Sequence, residues 1–169
     1  MRPVLDQWNL ADEAAAIESM LSCCAARRWA AKMVARRPLA NLDAMSAAAD
    51  EEWSAMGEDD WLEAFASHPR IGQRVPDEAE SLDAAWSRQE QSLVSTAGEQ
   101  VRAVLVEANA LYYERFGFTF IVCATGKSAD EMLAILQRRL RNERAAELQE
   151  AAEEQRQIMQ IRLRKWVAS

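Results

Sequence analysis

Helical periodicity runs through almost the whole chain, and few residues interrupt it. Only five glycines and four prolines occur among the 169 residues. Between Leu10 and Ala35 apolar side chains recur at three- and four-residue steps, which is the spacing of one face of an α-helix. The residues Arg36-Arg37-Pro38 end this helix, because a proline disfavours helical geometry in the residue before it. The pattern therefore predicts a long first helix over Leu10–Ala35.

The same reasoning predicts further helices, two of them with capping boxes. Asp60 with Glu63 caps one, and Ser128 with Glu131 caps another. The run 118–124 is β-like but has no second strand to pair with, so we expect a buried extended segment there. The predicted helices after the first are Asn41–Met56, Trp61–Ser67, Asp77–Ser95, Gly98–Phe116, Ala129–Leu140 and Glu143–Val167. We therefore expect an all-α fold in which residues 1–169 form a single-domain bundle of about seven or eight helices.

Composition and charge exclude several classes of function. The formal net charge is -7, and no run of Lys and Arg is long enough to follow a phosphate backbone, so nucleic acid is an unexpected partner. No stretch is apolar over the roughly 18–20 residues that a membrane helix needs, and Asp6 interrupts any signal-type apolar region. One histidine and three cysteines without a CxxC motif predict neither a metal site nor disulfides. We expect a cytoplasmic protein with buried thiols.

His68 is the first candidate for chemistry, since it is the only histidine in the chain. It falls in a predicted turn at 68–72, and Pro69 restricts its backbone, so the ring would be held in one direction. Histidine is the side chain best suited to proton transfer near neutral pH. The alternative is a surface histidine that merely ends a helix.

A polar helix face is the second candidate. Ser87, Glu90 and Gln91 are spaced at i, i+3 and i+4, so a helix presents a hydroxyl, a carboxylate and an amide on one face. Such a face suits a small ligand with ring N–H and C=O groups, and it also suits plain contact with solvent.

Arg162 falls in the middle of an apolar stripe on the last predicted helix. The stripe comprises Leu148, Ala151, Ala152, Gln155, Ile158, Met159 and Trp166. A guanidinium on that stripe must find an anion, because the burial of an unpaired charge is very costly. The anion is either a structural carboxylate or a ligand carboxylate bound bidentately.

The extended segment is a candidate because of its backbone. Buried N–H and C=O groups over 120–124 need partners, which are either neighbouring loops or a polar heterocycle. The nearby Gly126-Lys127-Ser128 is similar to the end of a phosphate-binding loop. That loop needs a glycine where this chain has Ile121, so we reject it and interpret Ser128 as a helix cap.

Four motifs in one order then connect these candidates. They are HPRIG at 68–72, WSRQEQ at 86–91, FGF at 116–118 with FIVCATGKS at 120–128, and AAEEQ at 151–155 continuing through Ile158 to Arg162-Leu163. In this order, and over nearly the whole chain, they resemble the bacterial-type 2-oxo-4-hydroxy-4-carboxy-5-ureidoimidazoline (OHCU) decarboxylases. The resemblance implies an all-helical homodimer without metal or organic cofactor. It also implies a carboxy-lyase that makes (S)-allantoin in urate degradation.

The resemblance also assigns roles to residues. His68 matches the catalytic general acid/base, and Glu90 matches the catalytic carboxylate. Ser87 and Gln91 match ring-binding positions, and Arg162 matches an anion-binding arginine. The backbone positions that match the binding site of the heterocycle are Pro69, Ile121, Val122, Cys123 and Ala124. Two alternatives stay open, namely a decarboxylase of a related ureido or hydantoin acid and a non-catalytic helical binding module.

Overall fold

The computed structural model describes residues 2–70 and 98–169, which form helices and connecting segments without a β-strand. Eight helices lie in these residues. In chain order they are α1 (Val4–Leu10), α2 (Glu13–Cys23), α3 (Arg27–Ala35), α4 (Leu42–Ser54), α5 (Glu58–Ala66), α6 (Glu99–Phe116), α7 (Ala129–Arg139) and α8 (Arg144–Ala168). The prediction of an all-α fold is confirmed. The helix predicted over Asp77–Ser95 lies outside the described residues.

The chain divides into two compact units. The first takes residues 1–64 and 155–169, and the second takes the described parts of 65–154. In the first unit the ring of Trp8 meets that of Trp166 edge-on, with centroids 6.2 Å apart. The indole N–H of Trp29 donates to the carbonyl of Ala49 at 3.2 Å. Buried tryptophans thus connect α1 with α8 and α3 with α4, and each of these four helices has an apolar face in the core.

The long first helix predicted over Leu10–Ala35 is wrong. The structure has two helices there, α2 and α3, and Cys24 between them is extended at φ -153° and ψ 118°. Cys23, Cys24 and Ala26 are all buried to 1% exposure or less. On a continuous helix, whose residues turn by about 100° each, Cys24 and Ala26 would point about 200° apart, whereas the extended backbone at Cys24 lets both side chains face the core. Tertiary packing therefore overrides the helical spacing at this point.

The capping box expected at Asp60 and Glu63 is also wrong. Helix α5 begins three residues earlier than predicted, and the Asp60 carboxylate accepts a hydrogen bond from the backbone N–H of Gly57 at 3.1 Å. Glu63 instead accepts from the backbone N–H of Arg27 at 2.6 Å and from its guanidinium. Asp60 thus lies inside the first turn of the helix, and its carboxylate binds a backbone N–H at the start of that helix.

Other helix boundaries follow their local signals. Asn41 caps α4 by accepting from the N–H of Ala44 at 2.9 Å, and Ser128 caps α7 by accepting from that of Glu131 at 3.1 Å. Gly117 ends α6 at φ 81°, a left-handed conformation that favours glycine. The predicted helices at 41–56, 98–116, 129–140 and 143–167 are therefore confirmed to within two residues at each end.

No helix in the described part of the chain is long and apolar enough to cross a membrane. The three cysteines are all buried, as the sequence predicts.

Candidate active site

The candidate catalytic histidine lies just after the end of α5, in the second unit. His68 is half-buried, and its backbone N–H donates to the carbonyl of Phe65 at 3.1 Å. Beyond Pro69, the guanidinium of Arg70 lies over the ring of Tyr113, 3.5 Å from its centroid. These contacts attach the chain to α5 on one side of His68 and to α6 on the other. Residues 68–70 are non-helical with a bend at His68, as the predicted turn requires, while 71 and 72 lie outside the described residues.

An aromatic contact joins the end of α5, just before this turn, to the extended segment within the same unit. The rings of Phe65 and Phe118 lie 5.4 Å apart between centroids. Phe65 is three residues before His68, and Phe118 begins the segment 118–124. The end of α5, which leads into the His68-Pro69 turn, therefore packs against the start of this segment.

The segment 118–124 is buried and non-helical, as predicted. Phe118, Phe120 and Ile121 are exposed by 5% or less, and Val122 is the half-buried exception in the run. The ring of Tyr112 on α6 lies 5.8 Å from Phe118 and 5.3 Å from Phe120, both in edge-on arrangements. Alternate aromatic side chains thus fix one side of the segment to α6.

Charged side chains bind the backbone of the segment. The carbonyl of Ile121 accepts from Nη1 of Arg139 at 2.6 Å, and that of Cys123 accepts from Nζ of Lys127 at 2.7 Å. The N–H of Cys123 donates to the carboxylate of Glu154. The sequence leaves two possible partners for these groups, neighbouring loops or a heterocycle. The structure shows that ionic side chains bind three of them, while Val122 takes no part in these bonds.

Arg139 belongs to a buried ionic network that the sequence analysis missed. Its Nε donates to Oε1 of Glu147 at 2.7 Å, and both residues have no solvent exposure. The hydroxyl of Tyr112 donates to the same oxygen at 2.5 Å, and Asn142 donates to Oε2 at 3.0 Å. Burial, and secondly the bond to Glu147, raise the pKa of Tyr112, so its hydroxyl stays protonated and donates.

Glu154 has a perturbed carboxyl group beside the segment. Burial raises its pKa above the ordinary value for a glutamate. The nearby charges of Arg139 and Lys127, and the N–H of Cys123, act in the opposite direction because they stabilise the carboxylate. A carboxyl group that takes up a proton more readily than usual therefore lies at the Cys123 peptide.

Arg162 lies in the first unit, on α8. It is exposed by only 1%, and the apolar stripe predicted around it is buried throughout. The sequence prediction of a buried guanidinium among apolar side chains is confirmed. A buried cation of this kind stabilises an anion by charge-assisted hydrogen bonds.

Three of the predicted site residues, Ser87, Glu90 and Gln91, lie outside the described residues. Within 2–70 and 98–169, no group of three or more His, Cys, Asp or Glu side chains is arranged to hold a metal ion.

Known proteins share both the sequence pattern and the fold. The family model of OHCU decarboxylase matches residues 9–164. A uric acid degradation bifunctional protein of Arabidopsis thaliana is 38% identical over 144 residues, which are 85% of this chain and 44% of that protein. The chain thus spans less than half the length of this bifunctional relative. An OHCU decarboxylase of Haloferax volcanii is 23% identical over 160 residues, which are 94% of this chain and 93% of that enzyme.

A crystal structure of OHCU decarboxylase in the presence of (S)-allantoin is 31% identical, with a TM-score of 0.76. The match covers 90% of this chain and 99% of that chain. A crystal structure of (S)-allantoin synthase, at 17% identity and a TM-score of 0.66, shares the fold. Because the family model covers almost the entire chain, this protein belongs to the OHCU decarboxylase family.

Proposed function

We propose that this chain decarboxylates 2-oxo-4-hydroxy-4-carboxy-5-ureidoimidazoline to (S)-allantoin in urate degradation. The observation that carries the proposal is the match of the OHCU decarboxylase family model over residues 9–164. The structural match to an OHCU decarboxylase solved in the presence of (S)-allantoin supports it further. As a member of this family the chain is a carboxy-lyase, and its substrate is a small anionic heterocycle.

The chemistry of the substrate explains how such a reaction proceeds. One ring carbon carries a carboxylate and a hydroxyl, next to a ring C=N bond. When the bond to the carboxylate breaks, carbon dioxide leaves and the electron pair forms a new C=C bond as the imine nitrogen accepts electrons. The former imine nitrogen takes up a proton. The resulting enol then gains a proton at the carbon that bears the ureido group and loses the one on its hydroxyl, which gives the ring amide carbonyl. Delivery of that proton to one face sets the (S) centre.

We assign the proton transfer to His68 and an orienting role to Glu90. Histidine is the side chain best suited to proton transfer near neutral pH, and the turn that carries His68 is attached to α5 and α6. Glu90 would hold either the imidazole or the substrate hydroxyl. Its role comes from the family motif, as do the ring-binding roles of Ser87 and Gln91.

We assign substrate binding to Arg162 and to backbone groups. The guanidinium of Arg162 is buried among apolar side chains and would bind the substrate carboxylate bidentately. The backbone at Pro69, Ile121, Val122, Cys123 and Ala124 would bind the polar edge of the ring. The packing of Phe65, three residues before His68, against Phe118 at the start of the segment 118–124 supports this assignment.

The assembly and location of the protein are also proposals. We propose that residues 1–169 act as one OHCU decarboxylase-like domain, since the family match includes residues from both compact units. We further propose a homodimer in the cytoplasm that works without a metal or organic cofactor.

The test is a chiral assay of the product. OHCU is generated in situ from urate with urate oxidase and hydroxyisourate hydrolase, the protein is added, and circular dichroism follows allantoin. We expect rapid growth of the (S)-allantoin signal. His68→Asn and Glu90→Gln should each lower turnover by at least ~100-fold, the low end for a general acid–base group.

The fold of each variant is checked by near-ultraviolet circular dichroism of the six tryptophans. Slow racemic product, identical to a control without protein, would refute the proposal and favour a helical binding module. Turnover of a related ureido or hydantoin acid but not of OHCU would instead identify an altered substrate. Near-normal turnover in both folded variants would refute the assigned roles.

A further inference from the structure

Two charged side chains, to which neither the sequence nor the resemblance assigns a role, hold the peptides on either side of Val122. Arg139 binds the Ile121 carbonyl before it, and Lys127 binds the Cys123 carbonyl after it. We call Arg139 and Lys127 the backbone clamp. Since both bonds come from cations to carbonyl oxygens, each is stronger than an ordinary neutral hydrogen bond.

The guanidinium of Arg139 has little freedom to move. Its Nε and Nη2 face Oε1 of Glu147 at 2.7 and 2.5 Å, while Nη1 faces Ile121 at 2.6 Å. The plane of the group also lies near the ring of Phe120, 4.6 Å from its centroid. Glu147 is in turn fixed by the hydroxyl of Tyr112. The position of the Ile121 carbonyl is therefore set by a chain of buried contacts.

Lys127 holds the other side of Val122. Its Nζ donates to the carbonyl of Cys123 at 2.7 Å, and its backbone N–H donates to that of Ala124 at 3.0 Å. Gly126 makes the necessary turn at φ 76°, in the left-handed region that glycine adopts readily. One residue thus fixes two successive carbonyls of the segment.

We propose that Arg139 and Lys127 are positioning residues for the decarboxylation, which act by orienting the peptides around Val122 toward the substrate. Neither side chain needs to touch the substrate. The inference rests on the proposed function, because it takes the segment 121–124 as the binding site of the heterocycle. It predicts that loss of the clamp weakens substrate binding more than it slows the chemical step at His68.

The experiment compares Arg139→Lys and Lys127→Met with two controls. A lysine at 139 keeps the charge beside Glu147, but a single ammonium cannot span from that carboxylate to the Ile121 carbonyl as the forked guanidinium does. Arg138→Lys is the matched control, since Arg138 is the preceding residue and its salt bridge is to Glu150 on the surface. Lys32→Met, at an exposed lysine of α3, controls for the second variant.

The readout is kcat and KM for (S)-allantoin formation. In both clamp variants we expect KM to rise about tenfold, the affinity that one well-placed hydrogen bond contributes, and kcat to change by less than about threefold. Both controls should match the wild type. If Arg139→Lys fails to fold, Lys127→Met carries the test alone, because Lys127 lies outside the buried network.

An unchanged KM in the folded clamp variants would overturn the inference, as would a loss of kcat at constant KM. Either result with an active wild type leaves the proposed function standing. An inactive wild type would refute the proposed function and the inference together, so the two failures are distinguishable.

Discussion

The hydroxyl of Tyr112 offers a direct test of the buried network in the second unit. Tyr112→Phe removes a donor to Oε1 of Glu147 but leaves the carboxylate its bonds from Arg139 and Asn142. A buried hydrogen bond to a charged group contributes roughly 1.5–3 kcal/mol. Complete loss of a partner from a buried ion pair costs about 3–5 kcal/mol, and the variant should not reach that range because Glu147 stays paired. We therefore expect a free energy of unfolding lower by about 2 kcal/mol.

The assay is urea denaturation followed by tryptophan fluorescence, with a thermal scan beside it. For a chain of this length, 2 kcal/mol corresponds to a melting temperature lower by about 4–8 °C. Tyr113→Phe is the matched control, since it is the same change one residue along on an exposed ring that keeps its contact with Arg70. A Tyr112→Phe protein within about 0.5 kcal/mol of the wild type, or no less stable than Tyr113→Phe, would refute the energetic role of the hydroxyl.

Three further predictions concern a cap, two carboxylates and a buried cation. Ser128→Ala should lower the free energy of unfolding by about 1 kcal/mol in urea, because the N–H of Glu131 loses its cap. Burial raises the pKa of Glu154, so the stability that Glu154 contributes falls as the pH rises through that pKa. The N–H of Arg27 lowers the pKa of Glu63, so the stability that Glu63 contributes falls as the pH drops through that lowered pKa. The stability of the wild type relative to Glu154→Gln should thus decrease from about pH 3 to pH 7, while that relative to Glu63→Gln should increase. Arg162→Ala should weaken the affinity for a dianionic substrate analogue by about tenfold or more, as measured by calorimetry.

Each of these has an outcome that would contradict it. A Ser128→Ala protein as stable as the wild type would mean that solvent replaces the cap without cost. If the stability of the wild type relative to each of the two glutamate variants changed with pH in the same direction, burial and hydrogen bonding would not have the opposite effects that we expect. Full affinity for the analogue after Arg162→Ala, in a folded protein, would make Arg162 structural.

The parts of the fold that could be predicted from sequence are those fixed by local chemistry. Asn41 and Ser128 satisfy backbone N–H groups within three residues, so their helices begin where the pattern places them. The break at Cys24 has no such local signal, since alanine-rich sequence on both sides favours continued helix. Cys24 and Ala26 are both buried in the core of the first unit, and the extended backbone at Cys24 lets both side chains reach it. Packing between elements distant in sequence cannot be derived from helical spacing alone.

The residues of the candidate site could be predicted from the sequence better than the side chains that hold them in place. The turn at His68 and the buried segment at 118–124 follow from their departure from helical periodicity, and both are found. The roles of Arg139 and Lys127 could not be predicted, because each depends on where the backbone of the segment 118–124 lies in the folded chain. Basic residues near the end of a helix such as α7 are ordinarily explained by the helix dipole, and neither the family motif at 120–128 nor the rejected phosphate-binding motif gives Lys127 a role.

A signal for Arg139 was nevertheless present in the sequence. The buried residues of α7 are Ala129, Met132, Leu136 and Arg139, at spacings of three, four and three. Arg139 therefore continues an apolar stripe in the same way as Arg162 does on α8, and a guanidinium in either position must meet an anion. Glu147 adjoins the stripe of α8 and is equally buried, so the pair could have been matched from its two helices. A charged residue in register with an apolar stripe is thus a general indicator of a buried ionic contact, and in this chain it marks both the candidate anion-binding residue and a residue that fixes the segment 118–124.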